Sequence, residues 1–222
     1  MNISQLVCLL GFVIRLSNAA NTTFTNPILP AFNPDPSCTF VKEWDNTFFC
    51  IPRHLVHWKH ASYAISRGDQ LPELYRNSAL QTEGTWASTL RYRDGTFYLI
   101  TSYVYWHEGW GPIILLLTTT DPYDDAAWSG PVRFENPEKE IDPDLFWDDD
   151  GKFYMSVARG IFIRQCLETF IVWNGTGDRN PEGPHIYNKD GYYYLGIGEG
   201  GTETNHSGVI SRSTSISGPY EG

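Results

Sequence analysis

The amino-acid sequence predicts an all-β fold of radially repeated sheets, a β-propeller, and three observations carry that prediction. Helical periodicity is absent along nearly all of the 222 residues, while aromatic residues, which favour strands, make up 15% of them. One hairpin motif recurs four times. An acidic or aromatic residue stands at a similar distance before each copy of it. Units of several short antiparallel strands repeating at this period are the mark of propeller blades, where radial repetition leaves only short edges.

The chain opens on an apolar run of 12 residues, Ile3 to Ile14, too short to span a bilayer. Small residues follow at Ser17-Asn18-Ala19, so residues 1–19 are expected to be a secretory signal peptide and 20–222 the folded domain. Asn21-Thr22-Thr23, Asn174-Gly175-Thr176 and Asn205-His206-Ser207 fit the glycosylation sequon, in keeping with a secreted, extracellular glycoprotein.

The first hairpin is Trp44-Asp45-Asn46-Thr47-Phe48-Phe49. Cys38 and Cys50 flank it and either face each other in a disulfide or remain buried thiols, while Cys166 has no assigned partner. The second is Arg93-Asp94-Gly95-Thr96-Phe97-Tyr98, the third Asp149-Asp150-Gly151-Lys152-Phe153-Tyr154, and the fourth Lys189-Asp190-Gly191-Tyr192-Tyr193-Tyr194. Asp-Gly between aromatic strands is a strong short-range hairpin signal. The turns are 49, 56 and 40 residues apart. A second element, at Trp58-Lys59-His60-Ala61, Ala127-Trp128-Ser129-Gly130-Pro131 and Ser217-Gly218-Pro219-Tyr220, reads as the loop and outer strand that finish a unit.

Net charge and spacing exclude several functions. A charge of −10 supplies no basic patch for nucleic acid or an anionic membrane. No later apolar stretch reaches transmembrane length, and no Cys or His spacing resembles a zinc site.

Counting back from each turn brings out a possible site. Trp86 lies nine residues before Gly95, Asp142 nine before Gly151 and Glu182 nine before Gly191. Asp35 lies eleven before Asn46, implying a first hairpin two residues longer. Each position begins the strand nearest the axis, so three carboxyl groups should converge at one end of a central cavity. The bland alternative makes Asp-Pro and Glu-Gly-Pro solvent-facing turns. Three acids falling in register favour the site.

Clustered carboxyls in a neutral, aromatic-rich pocket suit glycosidic hydrolysis. An inverting glycosidase uses one carboxylate to activate water and one carboxylic acid to protonate the leaving oxygen, roughly 6.5–9.5 Å apart. A third carboxylate can hold the acid's pKa up by like-charge repulsion. Asp35 and Glu182 would face each other across the funnel, Asp142 would modulate, and Trp86 would wall the sugar.

The motifs that carry these residues resemble glycoside hydrolase family 43, the β-xylosidases and α-L-arabinofuranosidases, in a fungal-type form. They are Asn26-Pro27-Ile28-Leu29-Pro30-Ala31-Phe32-Asn33-Pro34-Asp35-Pro36-Ser37, Thr85-Trp86-Ala87-Ser88-Thr89-Leu90-Arg91-Tyr92, Ile141-Asp142-Pro143 and Glu182-Gly183-Pro184-His185-Ile186-Tyr187. Glu199-Gly200-Gly201-Thr202 through Gly218-Pro219-Tyr220 completes the set.

The resemblance implies a five-bladed propeller of which about four blades are present, since Gly222 falls near the close of the fourth unit. It implies Asp35 as general base, Asp142 as pKa modulator and Glu182 as general acid, with Phe32, Trp86 and the Ala87 backbone lining the sugar subsite. It further implies inversion on xylan- or arabinan-derived oligosaccharides and no organic cofactor. Some members hold a calcium or another ion on the axis; His206 could neighbour such an ion, although a structural histidine is the favoured reading.

The chain departs from the pattern in having short stretches after Cys50 and between Gly160 and Trp173, and Ser88 where proline is usual. Two other functions compete: a catalytically impaired carbohydrate-binding propeller, and a retaining fructosidase with carboxyls roughly 5–5.5 Å apart.

Overall fold

A computed structural model of the chain describes residues 35–51, 60–72, 83–105, 111–134, 136–158, 161–165, 168–177, 180–201 and 205–222. The expected signal peptide, Phe32, Trp58 and Cys166 lie outside the described residues.

Thirteen strands form four antiparallel sheets in chain order among the described residues. The first sheet pairs β1 (Ser37–Val41) with β2 (Thr47–Ile51). The second runs β3 (Gly84–Arg93), β4 (Thr96–Val104), β5 (Ile113–Thr119) and β6 (Val132–Phe134). β7 (Ile141–Trp147), β8 (Phe153–Ala158), β9 (Ile161–Gln165) and β10 (Glu168–Trp173) make the third. The fourth is β11 (Glu182–Lys189), β12 (Tyr192–Glu199) and β13 (Ser207–Ser213), extended by a bridge between Arg212 and Glu221. Each sheet is an up-and-down meander, as a propeller blade is. The four blades sit where the four hairpin repeats predict them.

The blades stack face to face through three apolar interfaces. Side chains alternate across a strand, so a strand between two neighbours must be apolar on both faces. β4 is such a strand: Phe97, Leu99 and Tyr103 pack with Val41 and Phe49 of the first blade, while Ile100 packs with Leu145, Met155 and Val157 of the third. Tyr154 and Ile163 of the third blade meet Ile186, Leu195 and Ile197 of the fourth. Inner strands β1, β3, β7 and β11 therefore contact one another in sequence around one side of an axis.

The finishing elements behave as expected where they are described. Trp128 is buried, its indole N–H donates to Ser62 Oγ at 2.8 Å, and β6 follows it. Tyr220 is likewise buried just before the Arg212–Glu221 bridge. Cys38 and Cys50 are cross-strand partners joined in a disulfide, which decides between the two states open to them. The short stretch between Gly160 and Trp173 does not cost the third blade a strand, because β9 and β10 both form and pair.

Candidate active site

Asp35, Asp142 and Glu182 are brought together on one cavity of about 340 Å³, which Trp86 and Ala87 also line. The cavity opens at the start of the inner strands, where the sequence reading expects it. All but one of the predicted site residues are thus assembled, Phe32 being outside the described residues.

The register argument needs a correction of one residue. Trp86 pairs with Ser102 and Thr89 with Ile100; Ile141 pairs with Ala158 and Asp144 with Ser156; Glu182 pairs with Gly198 and His185 with Gly196. β3, β7 and β11 each carry one extra residue at this place, a β-bulge. Aligned on the bulge, Glu182 corresponds to Trp86 and Ile141, whereas Asp142 corresponds to Ala87 and Gly183. Counting from the glycines hid this offset because the third turn is one residue longer. Asp148 N–H bonds Lys152 O at 2.9 Å around Asp149-Asp150-Gly151, against the two-residue Asp94-Gly95 and Asp190-Gly191 turns. The first turn, Lys42 to Asn46, is three residues longer than those two, not two residues longer.

The bulge explains why neighbouring positions can serve one site. Ala87 (φ 43°), Asp142 (φ 55°) and Gly183 (φ 58°) all sit in the left-handed region, as does Asp35 (φ 51°). An extra residue at positive φ bends the strand and re-aims the side chains around it toward one side. For Asp35, Ala87 and Asp142 this conformation is costly, and such outliers concentrate at functional sites. Buried hydroxyls pin each bulge. Thr101 Oγ1 donates to Trp86 O at 3.1 Å, Ser102 Oγ accepts Asp142 N–H at 3.1 Å, and Ser156 Oγ donates to Pro184 O at 2.9 Å.

One hydrogen bond ties an acid to the backbone beside another. Asp142 Oδ2 accepts the N–H of Gly183, the residue after Glu182, at 3.1 Å. Burial pushes the Asp142 carboxyl up to about 6; the Gly183 N–H opposes this, and the charges of Glu182 and Asp35 add to it. Burial also raises Glu182, with Asp35 adding to the rise and His206 opposing it. His206 Nδ1 stands 3.6 Å from Glu182 Oε1 and donates to Gly201 O at 2.6 Å, so this histidine is both structurally satisfied and part of the cavity wall. Gly198 lets it approach. A Cβ there would stand 3.0 Å from His206 Cε1 and 3.7 Å from Glu182 Cγ.

A second cluster escaped the sequence reading. Asp144, only 1% exposed, accepts Arg91 Nε at 2.8 Å and a second bond from the same guanidinium, and His185 Nδ1 lies 2.9 Å from its Oδ2. Burial, the largest influence, pushes Asp144 up, but His185 and Arg91 together hold it below the usual carboxylate range. The ion group ties three blades together beneath the cavity. Asp144 and His185 both stand two residues past the left-handed position of their strands, a repeat signal that counting from the bulge would have found.

Among the described residues no group of three or more His, Cys, Asp or Glu side chains is placed to hold a metal ion.

The arrangement provides three carboxyls and an aromatic side chain on one cavity, a lining suited to acid–base chemistry on a sugar. Comparison with known proteins agrees. The family model for glycosyl hydrolases family 43 matches residues 24–222. A non-reducing end alpha-L-arabinofuranosidase of Bacteroides ovatus is 35% identical, over 97% of this chain and 43% of that protein. A xylan 1,3-beta-xylosidase of a Vibrio species is 36% identical, over 90% of this chain and 42% of its own length. The crystal structure of a family 43 glycoside hydrolase protein of Bacillus licheniformis superposes with a TM-score of 0.76 at 32% identity, over 89% of this chain and 42% of that one. The chain spans about two-fifths of the length of these relatives.

Proposed function

The chain belongs to family 43 of the glycosyl hydrolases, and from that premise we propose that the protein cleaves xylosidic or arabinofuranosidic bonds in plant cell-wall polysaccharides or their oligosaccharides. The observation that carries the reading is the convergence of Asp35, Asp142 and Glu182 on one cavity from three blades.

Glu182 is the general acid. Its proton affinity is raised by burial, with His206 opposing and Asp35 adding to the rise, which is the direction a proton donor to the leaving oxygen needs. Asp35 is the general base that activates water on the opposite face of the ring, which gives inversion. Asp142 modulates in two ways: its charge disfavours a second ionisation beside it, and its bond to Gly183 N–H fixes the backbone that carries Glu182. Trp86 and Ala87 line the sugar subsite, with the Trp86 ring as an apolar face for the sugar, and the family resemblance gives Phe32 the same role.

The protein works outside the cell. The Cys38–Cys50 disulfide supports this, because such bonds persist in oxidising compartments. Asn174 and Asn205 are exposed sequon residues, available to carry glycans. A mobility shift on treating the secreted protein with an N-glycanase is the expected outcome.

Aryl β-xyloside and aryl α-L-arabinofuranoside hydrolysis tests the activity, with the first-formed anomer followed by NMR. Glu182→Ala and Asp35→Ala should each lower kcat on the order of 10²–10⁴-fold with the fold intact. Full turnover in both would remove the assignment, and a retained anomer would remove inversion. Sugar binding without turnover in the unmodified protein would favour the carbohydrate-binding propeller.

A further inference from the structure

The reaction outlined above leaves the Arg91–Asp144–His185 cluster without a part, yet His185 lines the cavity. We propose that His185 orients the bound sugar by offering its Nε2 lone pair to a ring hydroxyl, and that Arg91 and Asp144 act through it as positioning residues that fix its tautomer. The inference rests on the sugar-cleaving reading of the cavity.

The geometry sets the tautomer. Asp144 takes two bonds from the Arg91 guanidinium and one from Leu145 N–H at 2.7 Å. A carboxylate held this way can only accept, so His185 Nδ1, 2.9 Å from Oδ2, is the donor. In the neutral ring that leaves Nε2 as an acceptor. Its edge is the one available to the cavity, since the Nδ1 edge is turned to Asp144, and the side chain is 38% exposed.

Charge explains why an imidazole suits this place. A pentose presents several hydroxyl donors, and the cavity already holds three carboxyls. A fourth carboxylate would add repulsion to Asp142 and Glu182, which already resist ionisation. A neutral Nε2 adds an acceptor without a charge.

The tautomer can be read without turnover. In ¹⁵N-labelled protein at pH about 8, above the ordinary imidazole range, two-bond ¹⁵N–¹H spectra should show, besides the His206 ring whose Nδ1 also donates, a second ring protonated at Nδ1 that is absent from His185→Asn. Adding D-xylose or L-arabinose should move its Nε2 resonance. A ring protonated at Nε2, or an Nε2 unmoved by either sugar, overturns the inference. His185→Asn keeps an N–H for Asp144 but removes the acceptor, so kcat/KM for aryl pentosides should fall about fivefold to tenfold, mainly through KM. An unchanged KM also overturns it. The two readings fail separately: an Nε2 that answers to sugar in a protein without hydrolysis removes only the catalytic one, while hydrolysis with an unresponsive Nε2 removes only this one.

Discussion

Replacing Asp142 by asparagine reads the electrostatics of the cavity as a stability. In the folded chain this carboxyl is raised from its ordinary 3.8 to about 6, chiefly by burial. The folded state therefore binds its proton more tightly than the unfolded state does. Asp142 lets the fold reach full stability at low pH and takes stability away as pH rises through about 6. At about 1.4 kcal/mol per pH unit, the ionised carboxylate costs the folded state about 3 kcal/mol at neutral pH. Asparagine removes the charge, and its side-chain oxygen can still accept the Gly183 N–H. Asp142→Asn should therefore be more stable by about 3 kcal/mol at pH about 8, or about 6–12 °C in Tm. The gain should shrink between pH about 6 and about 4 and vanish below. Urea unfolding midpoints of both proteins across that range give the measurement. Equal stability at pH about 8, or a gain that persists undiminished at low pH, would refute the burial argument. The same variant should lose turnover, which makes this residue one whose function is held against stability.

Other perturbations test the remaining parts. Gly198→Ala puts a methyl group 3.0 Å from His206 Cε1 and close to Glu182 Cγ, so kcat/KM should fall about tenfold with little change in Tm, and unaltered kinetics would show that neither side chain had to move. Asp144→Ala leaves the Arg91 charge beneath the cavity without its carboxylate and should destabilise the fold by about 3–5 kcal/mol in urea titrations; a loss no larger than that of a surface substitution would count against a buried ion group. The Cys38–Cys50 disulfide closes a loop with a sequence separation of 12, so Cys38→Ser with Cys50→Ser should cost about 3 kcal/mol, matched by the parent protein in reductant, and coincident unfolding curves with and without reductant would contradict it.

Much of this architecture was legible in the residues themselves. Four copies of an Asp-Gly or Asp-Asn turn before an aromatic strand predict four blades, because hairpin formation is local and its turn chemistry is written in adjacent residues. The approximate position of three acids before those turns was enough to predict that they meet. Their alignment to a single residue was not legible, since it depends on turn lengths and on bulges. The third turn differs from the second by one residue, and Ala87, unlike Gly183, carries no compositional sign of its positive φ.

By itself, then, the sequence determined the blades, their order and the identity of the acids, all of which follow from short-range pattern. Only the tertiary structure decided how those acids behave. The bond from Gly183 N–H to Asp142, the nearness of His206 to Glu182 and the Arg91–Asp144–His185 group each join groups far apart in the chain. Burial and charge act through space, so proton affinities are set by what packing brings alongside a residue and not by its neighbours in the chain.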